Sequence, residues 1–278
     1  VVCFSGGLSM NIKANGDLLK SKNIKYLSVP ASGGDETLSA GACFASALED
    51  YKKVKPITNP HLGEKAVLNK NLEYIKDLLN NGLGIIENFD NKKIALLLSK
   101  NHVIARCVGR AEYGARALGN RSIIANPSDA NNVKKINESI KNRDFWMPFT
   151  PSILEEYSDL FLKNPKRIFS PYMTIGFNTV KKNRHFIQAC LHMGDNSARP
   201  QFVSQKLNQE YWDLINEFYK LTEIPCLLNT SLNLHGEPMN YSMKDAIRTL
   251  LNSSLNFLIL PNNSLLYKKE FKEFILNI

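Results

Sequence analysis

Residues 109–126 read GRAEYGARALGNRSIIAN. An apolar run, VIARCV at 103–108, leads into this stretch, and IIA at 123–125 leads out. Both have the length and composition of short buried strands. Between them Gly109, Gly114 and Gly119 alternate with Arg110, Arg116 and Arg121, and Arg106 lies just upstream. Glycine lets a backbone approach a ligand closely and adopt positive φ. Arginine offers a planar fork matched to phosphate and carboxylate. Together they predict an anion pocket at the end of a sheet. The plainer alternative is a surface turn with solvated charges, and the threefold interleaving favours the pocket.

Size and composition set bounds. A chain of 278 residues with 44% apolar residues can bury a sizeable core as one large domain or two ordinary ones. It has no apolar run long enough to span a bilayer, and neither a signal peptide nor a membrane partner is expected. The formal charge of +9 suits an anionic ligand or a nucleic acid without choosing between them. Five cysteines without a CxxC pair predict reduced, buried thiols and a cytoplasmic location. Five histidines without HxxxH or HExxH spacing argue against a self-contained zinc site.

The chain opens with Val1 on a strand that runs straight into SGGLSMN, which suggests a piece of a longer protein. Such a loop, with Gly6, Gly7 and Asn11, can present backbone N–H groups to phosphates, and Ser-Gly-Gly reads equally well as an ordinary turn. A second strand is expected at 26–29. PASGGDETLSAGA follows, with a small-residue helix from about Glu36. Asp35, just before it, reads as an N-cap or as a carboxylate metal ligand, and spacing favours the cap.

Residues 51–64 read as a linker. Leu68, Leu72, Ile75 and Leu79 recur at helical spacing, and a second helix follows Asp90. Beyond the central stretch, Asp129 opens a helix on which Lys134, Asn137 and Lys141 are spaced to share a face. Phe145, Trp146, Pro148 and Phe149 are expected to pack. Strands are expected at 172–180 and 186–191, and SARPQ carries Arg199. Asn208 caps an amphipathic helix that Pro225 stops. At the end of the next strand, NTSLNLHGEP gathers Asn229, Thr230, Ser231 and Asn233, where open α/β sheets place ligands. Ser242 and Asp245 form a capping box, and two strands close the chain.

The ordered set GRAEYGARALGNRSIIANP, INESIKNRDFWMPFTPSIL, SARPQ and NTSLNLHGEP closely resembles the O-carbamoyltransferases of the nodulation-protein and antibiotic-tailoring type. SGGLSMN and PASGGDETLSAGA resemble the end of that family's Kae1-like lobe, a member of the actin/hexokinase superfamily. The implied fold class is α/β. A partial Kae1-like lobe at 1–62 and a helical linker at 63–98 would precede a YrdC-like twisted mixed sheet with flanking helices at 99–278.

The resemblance implies an enzyme that binds carbamoyl phosphate and ATP, forms carbamoyl-adenylate with release of pyrophosphate, and carbamoylates a hydroxyl of a small-molecule acceptor. By matched motif, Arg116, Lys141 and Arg199 would hold carbamoyl phosphate and act in catalysis, with Ser231 and Asn229 hydrogen-bonding it. Gly6, Gly7 and Asn11 would line the nucleotide. Asp35 would be a ligand to a divalent metal, iron by resemblance, which reverses the cap-first reading. The family's first-lobe HxxxH pair is absent, so the remaining metal ligands and the acceptor pocket are expected on an N-terminal lobe of the same protein. Met147 stands where many members carry arginine, and Asp195-Asn196-Ser197 replaces a more usual Asp-Gly-Thr. Two rival readings are a threonylcarbamoyl-adenylate enzyme of tRNA modification and an RNA-binding module. The latter ranks last because no RNP-type aromatic motif occurs, and nucleic acid is not an expected partner.

Overall fold

A computed structural model of the chain describes residues 1–50, 53–68, 73–80, 82–141 and 147–278. Leu72, Phe145 and Trp146 lie outside the described residues. The N-terminal segment carries β1 (Val2–Cys3), α1 (Ile12–Lys20), β2 (Leu27–Ser28) and α2 (Thr37–Glu49), with β1 and β2 pairing in parallel. Next come α3 (Glu73–Asn80), β3 (Leu83–Ile86), α4 (Asn91–Ser99), β4 (Ile104–Cys107), β5 (Arg121–Ala125) and α5 (Asn131–Ile136). The remainder is β6 (Thr150–Leu154), α6 (Ser158–Phe161), β7 (Gln201–Val203), α7 (Gln205–Thr222), β8 (Cys226–Ser231), α8 (Met243–Leu251), β9 (Phe257–Leu260), β10 (Ser264–Lys268) and α9 (Lys272–Leu276).

Eight of these strands form one mixed sheet in the order β3-β10-β9-β4-β5-β8-β6-β7. The β9–β4 and β6–β7 pairs are parallel and the other five antiparallel. Strand residues alternate between two cores because successive side chains leave opposite faces of a strand. Ile104, Ile124, Phe257 and Ile259 join one apolar cluster, while Ala105, Cys107, Ile123, Ala125, Leu258 and Leu260 join the other. On the first face α4 contributes Leu97 and Leu98, and α7 contributes Tyr211, Leu214 and Phe218. On the second face lie Ile136 of α5 and Ala246, Ile247 and Leu250 of α8. Helices on both faces bury both faces of the sheet, which is why its strands are apolar at consecutive positions.

The helix boundaries expected from capping chemistry are present. Asp90 accepts the Lys93 N–H, and Ser242 with Asp245 closes a reciprocal capping box. Asn208 departs from helical dihedrals inside α7 and accepts the Tyr211 N–H, so it caps the long part of that helix. Other expectations need correction. Segment 63–98 is not only helical, because β3 within it is an edge strand of the main sheet, paired with β10. Segments 172–180 and 186–191 are not paired strands. The first makes isolated bridges, Leu162 with Thr179 and Phe177 with Ala198, and the second is a kinked 3-10 turn. Met173, Ile175 and Phe177 are buried, but the Gly176 N–H goes to Ile12 and that of Phe177 to Ala198. Alternating burial there records a core face rather than a ladder. Three cysteines are buried as expected, whereas Cys3 and Cys43 are exposed, and all five are free thiols. Among the described residues no helix is long and apolar enough to cross a membrane.

The N-terminal segment is fastened to the sheet body. A Cβ placed on Gly16 of α1 would sit 2.4 Å from the Gly176 carbonyl oxygen, so only glycine permits that approach. Beside it, the Asn15 amide donates to the Ser9 and Thr174 carbonyls, each at 2.7 Å. Lys166 reaches the Leu19, Ser21 and Ile24 carbonyls at the end of α1, where cations suit the helix dipole.

Candidate functional site

The arginines of the central stretch do different work. Arg121 is fully buried and donates to the backbone oxygens of Val108 at 2.7 Å, Tyr241 and Glu64 at 3.0 Å and Asn120 at 3.2 Å. Arg106, also buried, bonds the Gly119 carbonyl and the Asn120 side chain, pairs with Glu210 at 3.1 Å and lies over the Tyr211 ring. Arg110 is exposed and donates to Leu62 and Gly63. The expected cluster of arginines in one anion pocket is therefore corrected. These three are spent on backbone carbonyls and side chains of the surrounding structure.

Glu112 shapes the loop between them. Its carboxylate accepts the N–H groups of Leu118 and Asn120 at 2.7 Å and of Arg121 at 3.2 Å. Burial pushes its carboxyl above the ordinary range, and those backbone donors work against the shift. Gly119, with φ +116, completes the turn, and any Cβ there would strike the Tyr211 ring. The result turns Arg116 the other way. Among the described residues its guanidinium has no hydrogen-bond or ion-pair partner, and burial pushes its pKa down from the ordinary value. A guanidinium stays protonated regardless, so Arg116 is a half-buried cation without an anion.

Arg116 lines a small pocket with Ala115, Ala117, Thr150, Met173, Arg199, Asn229, Thr230 and Ser231, none of them acidic. Four side chains expected at the site from three separate motifs thus meet. Arg199 is steered by Thr150, whose hydroxyl accepts from its Nε at 3.2 Å and its Nη2 at 2.9 Å. Lys141, the fifth, sits on the far side of Ser231. Its Nζ donates to the Ser231 hydroxyl at 3.2 Å and to the Asn233 side-chain oxygen at 2.6 Å. Helix α5 runs into a π-turn over Asn137–Lys141, which carries Lys141 inward until it is 2% exposed while Lys134 stays in solvent. That extra residue per turn breaks the shared face expected for Lys134, Asn137 and Lys141.

The pocket opens beside a wider cleft of about 620 Å³ that also includes Arg116 and Arg199. Ile12 and Lys13 of α1 form one wall, and His192, Asp195 and Ser197 form another, with Lys13 ion-paired to Asp195. Gly6, Gly7 and Asn11 line neither space, and the Asn11 side chain caps α1 by accepting the Ala14 N–H. Asp35 is exposed and supplies no side-chain cap to α2, so the cap reading is corrected too. Among the described residues no three His, Cys, Asp or Glu side chains gather where they could hold a metal ion, so Asp35 offers a lone carboxylate. The described residues do not by themselves fit a divalent metal. Thr150, Lys13 and the anchoring role of Glu112 were not legible in the sequence. Asn233 was visible only as one polar residue among several.

His61 packs beside this framework, its Nε2 3.4 Å from Asn208. Burial, with Arg106 and Arg121 nearby, lowers its pKa to about 4. Between pH 6.5 and about 4 the unfolded chain therefore binds a proton that the folded chain does not. Stability is expected to fall by about 2 kcal/mol as pH drops through that window. His61→Gln should remove this component of the acid limb in urea unfolding followed as a function of pH.

A protein-family model described as "Carbamoyltransferase C-terminus" matches residues 95–268, which include all five converging side chains. The uncharacterised protein MJ1051 of Methanocaldococcus jannaschii is 36% identical over 94% of this chain and 50% of its own length. Nodulation protein NolNO of Sinorhizobium fredii is 34% identical over 95% of this chain and 39% of its own. Nodulation protein NolO of Bradyrhizobium diazoefficiens is 34% identical over 93% and 48%. The chain spans about half the length, or less, of these relatives. With more than half of its residues matched by the model, the chain belongs to the carbamoyltransferase C-terminus family.

Proposed function

We propose that this chain is the carbamoyl-phosphate-binding and activating part of an O-carbamoyltransferase. The observation that carries the reading is Arg116, without a hydrogen-bond or ion-pair partner among the described residues, lining a pocket with Arg199, Asn229 and Ser231. Carbamoyl phosphate is a small dianion that would supply the missing negative charge. Its phosphate sits between Arg116 and Arg199, which stabilise the charge that builds on the leaving phosphate. Lys141 polarises the Ser231 hydroxyl and fixes its orientation through Asn233.

ATP occupies the wider cleft, whose volume suits a nucleotide, rather than the Gly6, Gly7 and Asn11 loop. Water releases inorganic phosphate from carbamoyl phosphate, leaving carbamate. A carbamate oxygen then bonds to the α-phosphorus of ATP as the bond to pyrophosphate breaks. The carbamoyl group of the adenylate passes to an acceptor hydroxyl, which loses its proton as AMP leaves. The YrdC-like and Kae1-like assignments of the two segments belong to this reading. So does an acceptor site formed with an N-terminal lobe, and no step here is routed through a metal.

Carbamoyl-phosphate-dependent exchange of pyrophosphate into ATP by the natural full-length protein tests it. Arg199→Ala and Lys141→Ala are each expected to lower exchange at least about tenfold, as loss of a charge-assisted contact does. Undiminished exchange in both variants would remove these residues from the site. Exchange supported by threonine and bicarbonate instead would favour the threonylcarbamoyl-adenylate alternative.

A further inference from the structure

Behind the pocket lies a row of buried polar side chains. Thr150 and Ser152 leave the same face of β6, since alternate residues of a strand do. Thr150 lines the pocket and holds the Arg199 guanidinium there. One layer deeper, the Ser152 hydroxyl donates to Gln201 Oε1 at 2.7 Å, across the paired strands β6 and β7. Gln201 Nε2 donates in turn to the Leu118 carbonyl at 2.8 Å. Asn229 of β8 closes the row. Its Nδ2 lies 3.1 Å from both Gln201 Oε1 and Ser152 Oγ and 3.2 Å from the Ala117 carbonyl. Ala117 and Leu118 directly follow Arg116, and Gln201 follows Arg199 by two residues. One side chain, Gln201, thus joins the backbone beside the first arginine to the backbone beside the second. Neither Gln201 nor Ser152 lines the pocket itself.

Thr150, Ser152, Gln201 and Asn229 are all buried. A bonded polar network of this kind rigidifies the groups it joins and fixes one arrangement of them. Here those groups are the two segments that bear cations. Arg116 makes no hydrogen bond or ion pair among the described residues, so its place is set by its own backbone. Two guanidiniums act on one phosphate only at a matching spacing, and a misplacement of about 1 Å can cost about a hundredfold. We propose that Gln201 is a positioning residue of this site, setting the spacing of Arg116 and Arg199 so that both grip a single phosphate. This rests on the reading in the preceding subsection and adds what makes its two cations act as one.

Titration calorimetry of the natural full-length protein with carbamoyl phosphate tests the proposal through a double-mutant cycle. Arg116→Ala and Arg199→Ala should each weaken binding at least about tenfold, and the double variant should be less than about threefold weaker than either, because the two arginines share one phosphate. Gln201→Met keeps the length of the side chain and removes both ends of its hydrogen bonding. It is expected to weaken binding about tenfold and to uncouple the arginines, so that their remaining effects multiply. A substitution that merely loosened the fold would lower affinity and leave that coupling intact. Ser152→Ala, a smaller change that frees Gln201 Oε1, should move both quantities in the same direction and serves if Gln201→Met does not fold. Wild-type affinity in Gln201→Met, or weaker affinity with the coupling preserved, would overturn the proposal and leave the anion site standing. Arginine effects that multiply in the otherwise unaltered protein would overturn it too, with no change made at Gln201. Failure of the wild-type protein to bind carbamoyl phosphate would remove the underlying reading and this proposal with it.

Discussion

Replacing Arg116 with alanine is expected to lower carbamoyl-phosphate-dependent pyrophosphate exchange by about 10²- to 10³-fold, the usual effect of removing one preorganised donor to developing charge. The melting temperature should stay within about 2 °C of wild type. Arg116 makes no hydrogen bond or ion pair among the described residues, so its loss leaves no buried carbonyl unpaired. Arg116→Lys should recover part of the activity at most, because an ammonium cannot reproduce the planar fork. Thermal unfolding and exchange measured on the same preparation check both halves. Full exchange in Arg116→Ala would end the assignment of this pocket.

Arg121→Met, five positions along the same motif, is expected to do the reverse. It strips the donors from four backbone oxygens, those of Glu64, Val108, Asn120 and Tyr241. Some of these keep a second partner, since the Glu64 carbonyl also accepts from Ala111 and that of Asn120 from Val108. The expected loss is about 3 to 5 kcal/mol, enough to unfold much of the protein at 37 °C. Urea unfolding reads it directly. A stability within about 0.5 kcal/mol of wild type would show that the hydrogen bonds of Arg121 are dispensable.

The site was partly legible from letters. Arg116, Lys141, Arg199, Asn229 and Ser231 lie in four motifs spread over more than a hundred positions, and the fold brings them to one place. The NTS segment stood out by its cluster of polar side chains, but Asn229, Thr230 and Ser231 are the last three residues of β8 rather than a loop beyond it. The π-turn that buries Lys141 was not readable. Its sequence, NESIK, has ordinary helical composition, and the inserted residue is stabilised by contacts from a distant loop, including the His235 N–H on the Ile140 carbonyl. Lys13 escaped notice for a similar reason. Nothing local marks it, and it reaches the cleft because Gly16 lets α1 lie against Gly176.

What the sequence by itself determined is the alternation of apolar strands and amphipathic helices, the capping residues, and the concentration of arginine and glycine at residues 109–126. These are local properties, written within a few residues of where they act. Which arginine meets a ligand was decided only by the tertiary structure. Arg106, Arg110, Arg116 and Arg121 have identical side chains, and three of the guanidiniums are drawn to oxygens of the surrounding structure. Those oxygens are supplied by residues as distant as Gly63, Glu210 and Tyr241. Arg116 alone of the four is left without such a partner among the described residues, and that shortage is what makes it available to an anion.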